Sequence, residues 1–262
     1  MNKAFSKLII FCFLIFMQII FSQKSINEEI INEHVNNCSK KVYYKAYMND
    51  YQACLDAGLK KDSTIAYLWQ QKAMPYFKIK KYEIGMSYLN KAVLLDKKKY
   101  LSYKGFINCI FVKNYKQAIL DFEEAIALVG NNYEMDHPYD FYIALSHLQL
   151  NEFEKAEEMF TNIINRQFNE KGFTHHLILF YHGITKYELQ KWQEAIDVFD
   201  LALKEYDNFS DAKFYKAFAL TKLGNFDMAN ILLKESQINY KSGYTINEGN
   251  SSYEIFPYQI KF

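Results

Sequence analysis

The sequence of 262 residues is nearly neutral, with 31 basic and 30 acidic residues and a formal net charge of +1. No bulk charge would draw it to nucleic acid or anionic lipid. Its single arginine, Arg166, argues against the bidentate contacts that nucleic-acid binders use, so we predict no nucleic-acid partner. Glycine and proline are scarce, at 9 and 3 residues, and 18% of residues are aromatic, which favours long helices over a turn-rich β fold.

The first 22 residues have the pattern of an export signal. Lys3 and Lys7 precede an apolar run from Leu8 to Phe21, and Ser22 provides a small residue before a cleavage point. The run is shorter than the ~20 residues that cross a bilayer. We predict a signal peptide at residues 1–22, no transmembrane span after its cleavage, and an exported, periplasmic or secreted product. An uncleaved anchor is the alternative.

Three cysteines follow this segment: Cys38, Cys54 and Cys109. An odd number in an exported chain does not give a complete disulfide framework. Cys38 and Cys54 could pair across the first predicted helical hairpin. The pattern favours buried, unbridged side chains instead, because a free cysteine behaves as a compact hydrophobe.

An aromatic residue followed three positions later by a small one occurs six times, at intervals of 31 to 39 residues. The pairs are Tyr51/Cys54, Tyr82/Gly85, Tyr115/Ala118, Phe153/Ala156, Trp192/Ala195 and Phe226/Ala229. Larger apolar residues follow four positions after most of the small residues, and small or apolar ones three positions further on. Spacings of i, i+3, i+7 and i+10 place these residues on one face of a helix, which we call helix B of each repeat.

A second helix, helix A, precedes each helix B and is joined to it by a short polar turn. When the six repeats are aligned, each recurring spacing position forms a column. The helix A column lies twelve residues before the small residue of helix B and contains Val42, Ala73, Phe106, Ala144, Gly183 and Ala217. Small residues at these spacings let two helix backbones approach, and the large aromatic residues fill the space beside them. Each repeat is therefore predicted to be a hairpin of two helices.

This pattern resembles the tetratricopeptide repeat, which runs W-x2-L-G-x2-Y, then A-x3-F-x2-A, then P. The second copy carries the resemblance best, through Trp69, Ala73, Tyr76, Gly85, Leu89 and Ala92. The terminal proline is missing from all six copies. The resemblance implies an all-α, TPR-like superhelical solenoid of about six helical hairpins. We place the array at residues 26–242, with repeats near 35–63, 66–97, 99–130, 137–168, 176–207 and 210–241.

The last segment, residues 243–262, has no helical period. It contains several large apolar residues, among them Ile246, Tyr253, Phe256 and Ile260, whereas disordered segments are poor in such residues. We predict an extended tail that packs on the array.

Helix A side chains outside the packing columns line a peptide-binding groove in tetratricopeptide-repeat proteins. Carried over by position, the groove here would be strongly aromatic, and Lys78 and Lys222 are too isolated to form the lysine and asparagine clamp of some family members. These rings could equally be core residues covered by neighbouring helices or by the tail. The predicted lining is Tyr43, Tyr47, Tyr67, Phe77, Tyr100, Tyr103, Ile107, Phe111, Phe141, Leu145, Phe180, Ile184, Tyr187, Phe214 and Phe218.

The common motifs for phosphate binding, zinc binding and nucleophilic catalysis are missing from the sequence. We therefore predict no enzymatic activity, no catalytic residue, no metal and no cofactor. His147, His175 and His182 fall on two neighbouring helix A segments. No tight ligand spacing supports a metal site there, and polar helix positions are the simpler interpretation.

The leading hypothesis is an exported, non-enzymatic protein–protein interaction scaffold that binds a peptide or protein segment in an aromatic-rich groove. A structural subunit of an envelope complex is the first alternative. A metal-dependent protein using the region of His147, His175 and His182 is a less favoured one.

Overall fold

The computed structural model describes residues 24–262, so the predicted signal peptide at residues 1–22 lies outside the described residues. The fold is all-α, as predicted, and consists of consecutive helical hairpins. Two compact bodies are present: an N-terminal body up to Tyr100 and a C-terminal body from Leu101 to Phe262. None of the helices within residues 24–262 is both long and apolar enough to cross a membrane.

The N-terminal body contains a short helical segment and three longer helices. Residues 24–31 are α-helical and continue into a π-helical turn at Asn32–Asn36, which is followed by a 3-10 turn at Ser39–Lys41. The longer helices are Met48–Lys61 (α1), Ala66–Lys78 (α2) and Tyr82–Leu95 (α3). Helices α2 and α3 pack together as helix A and helix B of the second repeat.

The C-terminal body continues the alternation of helix A and helix B. Helix Lys97–Phe106 (α4) crosses the boundary between the bodies and continues into a π-helix at Ile107–Val112. The remaining elements are Tyr115–Val129 (α5), the antiparallel strands Tyr133–Glu134 (β1) and His137–Pro138 (β2), Tyr139–Gln149 (α6), Phe153–Lys171 (α7), His176–Glu188 (α8), Trp192–Glu205 (α9), Ser210–Lys222 (α10) and Phe226–Lys241 (α11).

The small residues of the two predicted columns lie where helices meet. A Cβ atom on Gly183 would lie 2.5 Å from the ring of Phe199, so the glycine is required by the close approach of α8 and α9. The other column residues that are at most 2% exposed are Ala73, Phe106, Ala118, Ala144, Ala156, Ala195, Ala217 and Ala229. The spacing pattern therefore identifies the contact face of both helices in repeats two to six.

Each turn from helix A to helix B in repeats two to six contains one residue with a left-handed backbone. These residues are Lys80, Lys113, Asn151, Gln190 and Gly224, with φ between 58° and 80°. The left-handed residue ends helix A and reverses the chain toward helix B. Glycine adopts this conformation without strain, whereas lysine and glutamine do not.

The first repeat differs from the prediction. A helix A through Val42 is wrong, because residues 42–47 form turns and the helical segment lies earlier, in residues 24–36. That segment packs closely on α1: a Cβ atom on Gly58 would lie 3.1 Å from the Cβ atom of His34. Tyr43 and Tyr47 consequently lie outside any helix.

Cys38 and Cys54 form a disulfide, so the expectation of unbridged cysteines is wrong for this pair. Their Cα atoms are 5.7 Å apart and the bridge spans 16 residues of chain. It fastens residue 38 beside the middle of α1, which leaves residues 39–47 as a loop across the beginning of that helix. Cys109 is free and buried.

Candidate segment-binding surfaces

Eight of the fifteen predicted groove residues are buried, and the prediction that these eight line an open groove is wrong. Each has at most 5% of its surface exposed: Phe77, Tyr100, Ile107, Phe111, Phe141, Leu145, Phe180 and Ile184. The other seven are at least partly exposed: Tyr43, Tyr47, Tyr67, Tyr103, Tyr187, Phe214 and Phe218. Tyr43 and Tyr47 are the most open of these, at 63% and 60% exposure.

The buried rings have identifiable reasons to point inward. Phe77 fills the space beside Gly85, where an added Cβ atom would lie 2.5 Å from its ring. Ile107 and Phe111 belong to the π-helix, whose i→i+5 bonding rotates side chains away from their α-helical positions. Phe180 packs between helices, with its ring centroid 5.1 Å from that of Phe209.

The N-terminal body has an open cavity of about 420 Å³ on the helix A face of the second repeat. One wall is the loop 39–44, which the disulfide holds in place. The opposite wall is α2, where Gln71, Met74 and Lys78 are spaced at i, i+3 and i+7 and so share one face. The cavity is thus built from one loop, one face of α2 and Tyr51 of α1, all in the same body.

Hydrogen-bond donors concentrate around this cavity. The disulfide-held loop brings Lys40 and Lys41 to the same cavity as Lys78, a proximity that the sequence did not reveal. The hydroxyl of Tyr51 donates to the carbonyl oxygen of Gln71 over 3.2 Å. Burial raises the pKa of Tyr51, so this phenol stays neutral and keeps its proton directed at the Gln71 carbonyl oxygen. The lysine ammonium groups favour a ligand with carboxylate or carbonyl oxygens.

In the C-terminal body, the C-terminal segment (residues 244–262) lies on the helix A face. The Lys113 Nζ atom donates to the carbonyl oxygen of Ile255 over 2.7 Å, and the Tyr181 hydroxyl donates to the carbonyl oxygen of Pro257 over 2.9 Å. The Tyr258 hydroxyl donates to Glu188 Oε1 over 2.9 Å. Side chains of the repeats thus contact the main chain of the segment at successive points.

Asp211, in the first turn of α10, binds the C-terminal segment at both of its ends. Its Oδ1 atom accepts from the amide of Ile260 over 2.8 Å. Its Oδ2 atom accepts from the amide of Ile246 over 3.0 Å and from the Thr245 hydroxyl over 2.7 Å. Burial raises the pKa of Asp211 and these three hydrogen bonds oppose the rise. One carboxylate therefore closes the segment into a loop.

A cluster of histidines surrounds Glu248 of the same segment. His137 Nε2 lies 3.2 Å from Glu248 Oε1, and the rings of His137 and His175 are 5.0 Å apart. Burial lowers the pKa of His175 to about 3 and that of His176 to about 4. Burial alone would raise the pKa of Glu248, but the approach of His137 holds it below its usual value.

Comparison with known proteins agrees with this architecture. Residues 178–208, which contain α9 and all of α8 except its first two residues, match the tetratricopeptide repeat family model. The protein has the tetratricopeptide-repeat fold. No curated protein sequence matches the chain.

Solved structures show the same fold at low sequence identity. A tetratricopeptide repeat protein from Parabacteroides merdae ATCC 43184 has a TM-score of 0.65 and 15% identity, covering 81% of this chain and 79% of its own. PilW, a type IV pilus biogenesis factor, has a TM-score of 0.63 and 14% identity, covering 82% and 94%. YrrB, a tetratricopeptide-repeat protein with an unusual peptide-binding site, has a TM-score of 0.50 and 16% identity, covering 71% and 92%.

The alternative metal site gains no support from the repeat structure. His147 Nδ1 lies 2.6 Å from Glu152 Oε2, His175 caps the beginning of α8 through the amide of Leu177, and His182 is buried. Within residues 24–262, no group of three or more His, Cys, Asp or Glu residues is arranged to hold a metal ion.

Several tetratricopeptide-repeat residues that contact the C-terminal segment were not among the predicted groove residues. In the sequence, Lys113 is a lysine in a predicted turn and Tyr181 lies inside a predicted helix. Asp211 is an acidic residue in the first turn of a helix, where acidic residues are common. None of these positions indicates a contact with the C-terminal segment. The only sequence feature that pointed to these contacts was the apolar content of residues 243–262. It indicates that the segment packs on the array, but it does not indicate which residues the segment contacts.

Proposed function

We propose that this protein is an exported, non-enzymatic interaction scaffold that binds an extended segment of a partner protein on the N-terminal body. The observation that carries this proposal is the open cavity between the loop 39–44 and α2. It lies on a helix A face, and Tyr43, one of the predicted groove residues, is in its wall. Tyr47 stands exposed at the end of the same loop.

The partner segment should carry acidic side chains beside apolar ones. Lys40, Lys41 and Lys78 provide positive charge, while Tyr44 and Met74 provide apolar surface. An extended segment can present carbonyl oxygens along its whole length, and these suit the donors of the cavity. Because the ammonium groups are near solvent, binding should weaken as ionic strength rises.

Two observations support export and a role for protein contacts. The disulfide between Cys38 and Cys54 is a bond that persists in oxidising compartments outside the cytosol. Among proteins of the same fold, PilW acts in pilus biogenesis and YrrB has a peptide-binding site. We extend these properties to this chain as part of the proposal.

A photo-crosslinking experiment tests the proposal. A photoreactive phenylalanine analogue at position 43 should crosslink to a reproducible partner segment, and mass spectrometry then gives the segment's sequence. The change Lys78→Glu should weaken capture of that partner. A matched control is Leu94→Ser, because Leu94 is 85% exposed in the same body but does not line the cavity. Equal capture by the Lys78 and Leu94 variants would contradict the proposal.

A structural subunit of an envelope assembly is the second candidate. It is favoured by the exposed apolar side chains on the last helix, where Phe226, Met228, Ile231 and Ile238 are 47% to 64% exposed. Large exposed apolar surfaces mark contact sites. The mass of the purified chain in solution distinguishes the two: a monomer that binds a segment favours the scaffold, and a defined oligomer favours the subunit.

A further inference from the structure

The helix A face of the C-terminal body binds its own C-terminal segment in the way a protein binds a peptide. Lys113, Tyr181 and Asp211 all contact main-chain atoms of residues 244–262. Main-chain recognition does not depend on the side chains of the bound segment. These contacts would therefore serve any chain that follows the same path.

Apolar side chains of the segment occupy separate places on this face. Ile246, Phe256 and Ile260 are at most 7% exposed, while Gly249 lies in open space between the first two of them. Tyr258 adds an edge-to-face contact with Tyr215 at 5.7 Å between ring centroids. Pockets for alternate side chains combined with main-chain hydrogen bonds give both affinity and specificity in segment recognition.

We propose that this helix A face is a second segment-binding surface, which residues 244–262 occupy in cis, and that it fits a partner segment of the same chemistry. Such a partner would carry an aromatic residue and an isoleucine on either side of a proline and a tyrosine, and it would make the turn seen here, where the amide of Gln259 donates to the carbonyl oxygen of Phe256 over 3.1 Å. It would bind by displacing the C-terminal segment. This surface is independent of the cavity in the N-terminal body.

The covalent link explains why a free ligand would compete poorly. A short tether holds the segment at an effective concentration in the millimolar range. A partner segment of equal affinity must therefore exceed that concentration, and otherwise it must bind more tightly, present several such segments, or act after the tether is cut. Cutting the tether converts the internal contact into a measurable binding reaction.

The test uses the full chain with a specific protease sequence inserted after Gly249, where the surroundings are open. After cleavage, a fluorescein-labelled synthetic peptide of residues 250–262 is added, and anisotropy reports its uptake. We expect the cleaved protein to keep its helical circular dichroism and to bind the peptide saturably. The uncleaved protein should bind it at least roughly 10-fold more weakly, because its site is occupied.

Two variants of the cleaved protein identify the site. Asp211→Asn should weaken peptide binding by roughly 10-fold, because the amide of Ile260 loses its charged acceptor. Asp207→Asn, a change of the same chemistry at an exposed position nearby, should leave binding unchanged. A scrambled peptide should not bind.

Three results would overturn the proposal. Loss of helical signal on cleavage would show that the segment is part of the core. Retention of the cleaved fragment without uptake of labelled peptide would show that it does not exchange. Equal binding of the scrambled peptide would show that the face does not recognise this chemistry.

Discussion

Replacing Gly85 by alanine tests directly whether Phe77 is a core residue rather than a groove residue. The new Cβ atom would lie 2.5, 2.7 and 3.0 Å from three carbons of the Phe77 ring, which is 1% exposed. Carbon atoms pack best at about 3.5–4.0 Å, so the ring would have to move by about 1 Å in a filled space. Such overpacking costs ~1–3 kcal/mol.

Helix propensity opposes this cost. Alanine is better than glycine in a helix interior by ~0.8–1.0 kcal/mol, so the net loss of stability should be about 1 kcal/mol and at most about 2 kcal/mol. Melting temperature in a protein of this size falls by roughly 2–4 °C per kcal/mol. We therefore expect Gly85→Ala to melt a few degrees below the wild type in differential scanning calorimetry.

A double-mutant cycle separates the steric cause from others. In the fourth repeat, Leu148 and Ala156 occupy the positions of Phe77 and Gly85, and both are fully buried. Phe77→Leu should therefore make room for the alanine, and the double variant should be more stable than the sum of the single changes predicts, by ~1 kcal/mol or more. A Gly85→Ala protein as stable as the wild type, or additive effects in the cycle, would refute the placement of Phe77.

Three further changes test other parts of the structure. Cys38→Ser removes a bridge that spans 16 residues, so the denaturant midpoint should fall by an amount worth ~3 kcal/mol, and reductant should no longer affect it. Gly224 has φ of 80° and no atom near its absent side chain, so Gly224→Ala should cost ~1–2 kcal/mol through the backbone alone, whereas Gly249→Ala, also in open space, should be neutral within ~0.5 kcal/mol. His175, whose pKa is lowered to about 3 by burial, and Glu248, whose pKa is held below 4.5, both contribute stability at neutral pH that is lost on acidification. The protection factors of the C-terminal segment amides, obtained by dividing the intrinsic exchange rate at each pH by the observed rate, should therefore fall from about pH 6.5 downward. Glu248→Gln should reduce this dependence below about pH 4.5, and protection factors that do not change with pH would contradict the histidine cluster.

The repeat core could be predicted from sequence because it is a local property of helices. The spacing between an aromatic and a small residue predicts which face of a helix makes a contact. The partner in that contact is the next helix along the chain. Ala144 and Ala195 could therefore be placed in the core before any coordinates. The same reasoning gives the turn between the helices, where Gly224 adopts the left-handed conformation.

Which of the groove residues are exposed could not be predicted in the same way, because exposure depends on structural features that the repeat pattern does not contain. A π-helical turn at Ile107–Val112 changes the direction of its side chains, and no propensity rule signals such a turn reliably. Phe77 is buried only because Gly85, eight residues later, leaves room for it. An aromatic residue on a predicted groove face is open only if no such compensating space exists nearby.

The two non-repeating segments carry the parts of the structure on which the two proposed binding surfaces depend. Residues 39–47 would extend a regular hairpin if they were helical, and the cavity beside α2 would then lose one wall. The bridge to Cys54 prevents this by fixing Cys38 against the middle of α1. In the C-terminal body the opposite happens, because Asp211 binds two amides of a segment that has no helical period and so draws it across the repeats. A repeat fold supplies similar helix faces in each body, and the segments without the repeat determine whether a face is open to a partner or already occupied.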